Sequence, residues 1–132
     1  MNVVVDTSVW SLALRCNTPN DVISIVNKLR SLITNEQVVL LGVIRQKVLS
    51  GIRYQEQFIR LREYLRAFSD LQLTTEDYEL GAEFFNTCRS HGIQGSNTYF
   101  LICAVAHHRG YSIFTTDKDF DNFRLYIPVV LY

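Results

Sequence analysis

Short runs of consecutive apolar residues recur along the chain and predict buried strands. The first is the run of three valines at positions 3–5, directly before an aspartate. A β-branched run this short is typical of a strand buried on both faces at the centre of a parallel sheet. Similar runs predict four further strands, at residues 37–41, 71–73, 112–115 and 127–131.

Between these runs, apolar residues spaced three or four apart predict amphipathic helices. The apolar stripes are Val22, Val26, Leu29 and Ile33, then Tyr54, Phe58, Leu61, Leu65 and Phe68, then Leu80, Phe84 and Cys88. Thr18 with Pro19, and Thr75, are the expected start signals of the first and third of these helices. Shorter helices are expected at 9–14, 43–50 and 118–123, with Gly51 in the C′ position after the second.

One segment, residues 99–106, is apolar without a break, so its pattern alone is compatible with a strand or a helix. Its continuation to His108, a cap at Asn97 or Thr98 and a stop at Gly110 favour a buried central helix. Strands that alternate with helices indicate an α/β sandwich with a parallel sheet. Repeats and linkers are absent, and we expect one domain over residues 1–132.

Two aspartates directly follow predicted strands. Asp6 follows the valine run, and Asp117 follows the segment 112–115 after a hydroxyl-bearing turn. Carboxyl ends of parallel strands lie at the same edge of a sheet, where α/β proteins keep their binding sites. If the two strands are neighbours, these carboxylates meet there. Asp119 and Asp121 add further acids, and carboxylates are ligands of hard cations such as Mg²⁺. An acidic turn is also compatible with a solvated loop or a helix cap, whereas a carboxylate buried after three valines needs a partner.

Composition restricts the remaining possibilities. Thirteen basic and thirteen acidic residues cancel, so any polyanion site must be a local patch. The cysteines Cys16, Cys88 and Cys103 are odd in number and form no CxxC pair, as expected for reduced thiols of a cytoplasmic protein. We expect no export signal and no membrane span. Glycine-rich phosphate loops are absent from the sequence, and the pair His107–His108 is expected to act only as cations at a helix end.

Four stretches resemble, in order and spacing, the PIN domain family, with most likeness to VapC-type toxins of type II toxin–antitoxin pairs. They are NVVVDTSVW, VIRQKVLSG, GSNTYFLICAVAHHRG and FTTDKDF, and the resemblance covers essentially the whole chain. It implies a five-stranded parallel sheet of order 3-2-1-4-5, flanked by helices in three layers. It also implies an Mg²⁺ or Mn²⁺ site built from four acids and cleavage of single-stranded RNA by a metal-activated water. The implied partners are an antitoxin protein, an RNA substrate and a second copy of the chain.

Compared residue by residue, this chain has two of the four acids that the resemblance implies and lacks the other two. Asp6 matches the first acid and Asp117 the fourth, while Lys47 and Tyr99 stand at the second and third positions. Asp119 is a further candidate metal ligand, and the supporting residues are Ser8, Thr116 and Asn97. A lysine in place of a glutamate changes the local charge by two units in a site for a dication. We therefore expect metal binding to be weakened or lost and the nuclease to be inactive or impaired.

Three functional hypotheses remain open on the sequence. The first is a ribonuclease toxin by descent, impaired in this chain. The second is a binding module that keeps the fold, dimerises and holds an antitoxin without cleaving RNA. The third is a receiver-like α/β domain, which leaves the VIRQ, LSG and GSNT stretches unexplained. RNA contact is expected from Arg45, Arg53 and Arg89, whereas a solvated helix face is the favoured interpretation of Arg60, Arg62 and Arg66.

Overall fold

The computed structural model describes residues 1–14 and 23–132. Within them a parallel sheet is formed by β1 (Val3–Val5), β2 (Val38–Val39) and β3 (Ser112–Phe114), in the order β2-β1-β3. Val4 of β1 pairs with Val39 on one side and with Ile113 on the other. All three valines of β1 are buried, as their β-branched run predicts.

The two outer strands that the sequence predicts are reduced to single parallel bridges, Leu40 with Asp70 and Ile113 with Leu131. The order 3-2-1-4-5 is therefore kept, but segments 71–73 and 127–131 are not strands along their length. Backbone hydrogen bonding explains why the segment 127–131 is not a strand along its length. The amide of Ile127 bonds to the Phe123 carbonyl, and Pro128 has no amide hydrogen. Few ladder bonds are left for it to make.

Helices flank this sheet. In the described part of the chain they are α1 (Thr7–Ala13), α2 (Ile23–Thr34), α3 (Gly42–Ser50), α4 (Gln55–Leu65), α5 (Thr75–Ser90), α6 (Asn97–Arg109) and α7 (Asp119–Phe123). The apolar segment 99–106 is helical, and its residues 100–106 are all buried, which confirms the central helix. Gly110 ends α6 in the left-handed region at φ 69°, which a glycine adopts without strain.

The helix caps differ from the predicted ones. Thr74, not Thr75, is the N-cap of α5, and it forms a capping box with Asp77. Ser96, not Asn97 or Thr98, is the N-cap of α6. Single-sequence patterns place a helix end only to within a residue or two, because several capping residues stand side by side here.

Gly51 also departs from its prediction. It is the C-cap of α3 with φ −88°, a right-handed conformation, and not a left-handed C′ residue. The predictions for Cys16, Thr18, Pro19 and Val22 are not tested, because these residues lie outside the described ranges.

The apolar stripes of the helices are buried mainly in the core of the monomer. Leu61 and Leu65 of α4, and Phe84 and Cys88 of α5, are buried in the chain's own core. These parts of the stripes therefore leave no apolar surface for a second copy of the chain. Cys88 and Cys103 are both free and buried, and burial raises the pKa of both thiols. None of the helices described is long and apolar enough to cross a membrane.

Candidate active site

Asp6 lies at the carboxyl end of β1, where the chain turns into α1, and its side chain is only 1% exposed. Its Oδ2 atom accepts hydrogen bonds from the hydroxyls of Ser8 and Thr115, each at 2.9 Å. Its Oδ1 atom is buried and has no hydrogen-bond partner among the described residues. A buried carboxylate with one unpaired oxygen is the feature of this site that a cation would satisfy best.

Thr115 connects the two predicted acids. Its hydroxyl donates to Asp6 and accepts the backbone N–H of Asp117 at 3.0 Å. Ser8 acts in parallel, since its hydroxyl donates to Asp6 and accepts the backbone N–H of Thr116 at 3.0 Å. The parallel pairing of β1 with β3 brings these groups to one edge of the sheet.

The hydroxyl role expected of Thr116 belongs to Thr115. Thr116 is exposed and contributes its backbone amide, whereas Thr115 holds the polar contacts. Sequence reasoning missed Thr115, although its position two residues before Asp117 allows a side-chain-to-backbone turn of this type.

Both oxygens of Asp117 are occupied by hydrogen bonds. Oδ1 accepts the backbone N–H of Asp119 at 2.9 Å, at the start of α7. Oδ2 accepts the phenolic hydroxyl of Tyr99 at 2.5 Å. Tyr99 therefore does more than fill space, because its side chain bonds directly to the carboxylate of Asp117.

Tyr99 is fixed in this position by its surroundings. It lies in the first turn of α6, and its ring packs against Phe120 and Phe123 of α7, with centroids 5.0 and 6.2 Å away. Burial raises the pKa of its phenol well above the ordinary value, and the bond to Asp117 raises it further. The hydroxyl thus stays protonated and acts as a donor to the carboxylate.

Lys47 contacts Tyr99 and not the carboxylates. Its Nζ atom lies 4.8 Å from the centroid of the Tyr99 ring, within the range of a cation–π interaction. Among the described ion pairs, none joins Lys47 to Asp6 or Asp117. The ammonium lies instead over the aromatic ring of Tyr99.

The residues present do not fit a divalent ion. Of the four carboxylate oxygens of Asp6 and Asp117, only Asp6 Oδ1 is free of hydrogen bonds in the described structure. Over the same residues, no group of three or more His, Cys, Asp or Glu side chains is placed to hold a metal ion. Mg²⁺ is bound by one or two carboxylates in near-ideal octahedral geometry. Asp6 alone keeps an oxygen suited to that role.

The remaining candidate residues lie around this centre without joining it. Asn97 and Asp119 are exposed at the starts of α6 and α7. Arg45 is used structurally, because its guanidinium bonds to Asp70 and to two carbonyls at the end of α4. Arg53 and Arg89 are exposed and lie over the rings of Tyr54 and Phe85.

The PIN domain family model matches residues 3–125, nearly the whole chain. The chain belongs to the PIN domain family. PIN domains of the VapC type are generally nucleases, and PIN nucleases typically use divalent metal ions. The sheet order of this chain agrees with that assignment.

Solved structures share this PIN fold over their full length. FitAcB from Neisseria gonorrhoeae is 20% identical with a TM-score of 0.78, over 98% of this chain and 96% of its own. VapBC2 from Rickettsia felis, bound to a DNA fragment from their promoter, is 18% identical with a TM-score of 0.78, over 100% and 98%. VapBC-1 from nontypeable Haemophilus influenzae is 15% identical with a TM-score of 0.66, over 100% and 97%. At these identities the likeness establishes the fold. Among curated proteins, none matches the sequence.

Proposed function

We propose that this chain is a VapC-like member of a toxin–antitoxin pair, descended from a metal-dependent endoribonuclease, whose cleavage site is disarmed at Lys47 and Tyr99. The ancestral reaction is hydrolysis of single-stranded RNA with Mg²⁺ or Mn²⁺ held by four acids. Asp6 and Asp117 would be the two acids that this chain retains. The observation that carries the proposal is the hydrogen bond from Tyr99 to Asp117, which occupies an oxygen that the ion would need.

Charge supports the loss of cleavage. A nuclease of this kind needs a dication to polarise the phosphodiester and activate water. The Lys47 ammonium lies 4.8 Å from the centroid of the Tyr99 ring, and the hydroxyl of the same ring bonds to Asp117. Like charges repel, so an ammonium held on that ring would oppose a dication at Asp117. The proposed outcome is a PIN domain that recognises its partners in the cytoplasm and does not cut RNA.

Partner binding would then be the function that remains. The structurally similar VapBC2 is described together with promoter DNA, and FitAB is described bound to an IR36 DNA fragment. By analogy, we expect this chain to bind an antitoxin protein and to form a homodimer. The Tyr99–Asp117 bond favours this non-catalytic role, because it satisfies the acid without any ligand.

RNA contact, if retained, would come from the exposed arginines. Arg53 and Arg89 are free of ion pairs in the described part of the chain, whereas the Arg45 guanidinium is already bound. Phosphate contacts release counterions, so affinity for single-stranded RNA should fall steeply with salt. RNA binding whose affinity does not change with salt concentration would contradict a role for these arginines.

The experiment compares the purified wild type with the doubly restored variant Lys47→Glu/Tyr99→Asp on single-stranded RNA in Mg²⁺. We expect no cleavage by the wild type and cleavage by the restored chain, whose expression should also slow cell growth. Asp6→Asn added to the restored chain is the control and should abolish cleavage. Lys28→Glu, an equal charge change on an exposed residue of α2, should leave the wild type inactive.

Two results would contradict the proposal. Cleavage by the wild type at the rate of the restored chain would show that the site is not disarmed. A restored chain that folds and binds Mn²⁺ but cuts no RNA would show that ribonuclease descent is the wrong assignment. For the partner, co-expression with the product of the neighbouring reading frame should yield one co-purifying complex, and separate elution would count against an antitoxin.

A further inference from the structure

We infer that Lys47, Tyr99 and Asp117 form a stacked unit that takes the place of a divalent ion at Asp117 and so disfavours metal binding at this PIN site. We call it the Lys47–Tyr99–Asp117 stack. The inference rests on the proposed function for the ancestry of the site, but it concerns a separate property, the exclusion of metal. It goes beyond the loss of two ligands, because Tyr99 would actively satisfy Asp117, one of the two acids that remain.

The first step is the state of Asp117. An ionised carboxylate near the protein interior needs donors or cations on its oxygens. Here the phenol of Tyr99 and the amide of Asp119 supply one hydrogen bond to each oxygen. A metal ion at Asp117 Oδ2 would compete with the phenol for that oxygen, and a displaced hydroxyl would lose its partner in a partly buried position.

The second step is the rigidity of the phenol. Tyr99 cannot easily leave, because its ring lies between the start of α6 and the aromatic rings of Phe120 and Phe123, both fully buried. Its backbone amide is also held by the N-cap side chain of Ser96 at 3.1 Å. The position of the hydroxyl is therefore set by the packing of α6 against α7, and not by Asp117 alone.

The third step is the charge on the outer face of the ring. Lys47 is exposed on α3, and its ammonium lies over the Tyr99 ring at 4.8 Å from the centroid. A cation over the ring face is attracted by the π electrons. Lys47 therefore acts through Tyr99 as a positioning residue, and it holds a positive charge on the ring whose hydroxyl bonds to Asp117.

Outside the stack, the site offers a metal ion little to bind. Asp6 keeps one unpartnered oxygen in the described structure, while its other oxygen accepts two hydroxyl hydrogen bonds. A single unengaged carboxylate oxygen is a poor site for a dication, which takes up several oxygen ligands. The two substitutions should consequently act together, since restoring either acid alone leaves the other obstacle in place.

The test measures Mn²⁺ binding by electron paramagnetic resonance of free Mn²⁺, and thermal unfolding with Mn²⁺ or with a chelator. The variants are the wild type, Lys47→Glu, Tyr99→Asp and the double variant. Lys28→Glu and Tyr78→Phe, both at exposed positions away from the stack, are matched controls. Circular dichroism checks the fold. If the double variant fails to fold, Lys47→Gln/Tyr99→Phe replaces it, because that pair removes the ammonium and the hydroxyl without adding negative charge.

We expect the wild type and both controls to show no saturable Mn²⁺ binding and the same melting temperature with ion or chelator. The double variant should bind at least ~100-fold more tightly than the wild type, since changes around metal ligands alter affinity by about 10–100-fold each. It should melt lower in chelator, because the acids repel one another, and higher in Mn²⁺. Each single variant should gain less than about tenfold. The replacement pair should bind Mn²⁺ weakly, through the oxygens it frees.

Saturable Mn²⁺ binding by the wild type would overturn the inference whatever its activity on RNA. So would a folded double variant, or a folded replacement pair, that binds no Mn²⁺, because Asp6 and Asp117 would then be structural. Mn²⁺ binding by the double variant without RNA cleavage would instead support the stack and overturn the proposed ribonuclease descent. Metal exclusion by the stack and the proposed ribonuclease descent can therefore be contradicted independently of each other.

Discussion

At the scale of single residues, hydroxyl groups hold the acidic edge of the sheet together. Thr115 donates to Asp6 and accepts from the amide of Asp117, and Ser8 does the same between Asp6 and Thr116. Each hydroxyl thus satisfies a buried carboxylate oxygen and a backbone donor at once. This arrangement fixes the end of β1 against the end of β3 without any bound ion.

Thr115→Val should therefore be destabilising. It keeps the shape of the side chain but removes a donor to a charged acceptor and an acceptor for a backbone amide, at a cost of about 1.5–3 kcal/mol. Urea unfolding measures the change. Thr116→Val is the matched control on the neighbouring exposed threonine and should change stability by less than about 0.5 kcal/mol. Equal effects of the two substitutions would show that the Thr115 hydroxyl is not a structural link.

Much of the site could be predicted at this scale, and the part that could not has a physical reason. Asp6 and Asp117 were placed at one edge from their positions after apolar runs, because parallel strands bring their carboxyl ends together. The bond from Tyr99 to Asp117 and the position of Lys47 over the ring depend on how α3, α6 and α7 pack. No local pattern in the sequence encodes those distances.

At the scale of elements, α5 and α6 are joined by a buried polar cluster. Asp77, in the first turn of α5, accepts hydrogen bonds from both terminal nitrogens of Arg109 at 2.9 Å and contacts Nδ1 of His108 at 2.8 Å. It also closes the capping box with Thr74. No local pattern in the sequence reveals this cluster, because the partners of Asp77 lie 31 and 32 residues away.

Asp77→Asn should be strongly destabilising near neutral pH. The substitution leaves Arg109 without its charged partner, and breaking a buried pair of this kind costs about 2–4 kcal/mol when one member keeps some contact with water. Asp121→Asn is the control, since its exposed pair with Arg124 spans 3.8 Å and should contribute less than about 0.5 kcal/mol. Urea unfolding of both variants decides this, and a small effect at Asp77 would contradict it.

The same cluster predicts how stability depends on pH. The side-chain hydrogen bonds of Arg109 hold the pKa of Asp77 well below its usual range, against the opposing effect of burial. A folded-state pKa below that of the unfolded chain stabilises the protein above the ordinary aspartate pKa of about 3.9, and the stabilisation is lost as pH falls towards the folded value. The difference between the wild type and Asp77→Asn should therefore shrink on acidification. A difference that stays constant from neutral pH to about pH 3 would contradict this origin.

At the scale of the whole molecule, alternation of apolar runs and helical stripes predicted the α/β fold, and the family resemblance implied the strand order. The outer strands were the weak point of that prediction. Residues 71–73 and 127–131 are apolar enough for strands, yet each segment makes only a single bridge. In the segment 127–131, Pro128 and the turn after α7 account for this. The large apolar side chains exposed along α4 and its N-cap are Tyr54, Ile59 and Tyr64, at 66%, 40% and 48%.

If the proposed homodimer forms, these exposed residues of α4 are the surface on which to test it. Light scattering should give twice the 15.3 kDa chain mass at micromolar concentrations. Ile59→Asp/Tyr64→Asp should then shift the mass to that of a monomer, because charges would be buried in an apolar contact. Tyr78→Asp, on the exposed face of α5, is the control and should leave the dimer intact. A monomeric mass for the wild type would contradict the proposed homodimer.

The central claim is that Tyr99 and Lys47 close this PIN site to metal, and a crystal of the wild type soaked in Mn²⁺ tests it most directly. We expect no anomalous peak between Asp6 and Asp117, with the Tyr99 hydroxyl still bonded to Asp117. Crystals of Lys47→Glu/Tyr99→Asp under the same soak should show a peak there. A peak at Asp6 and Asp117 in the wild type, with the Tyr99 ring turned away, would contradict the account.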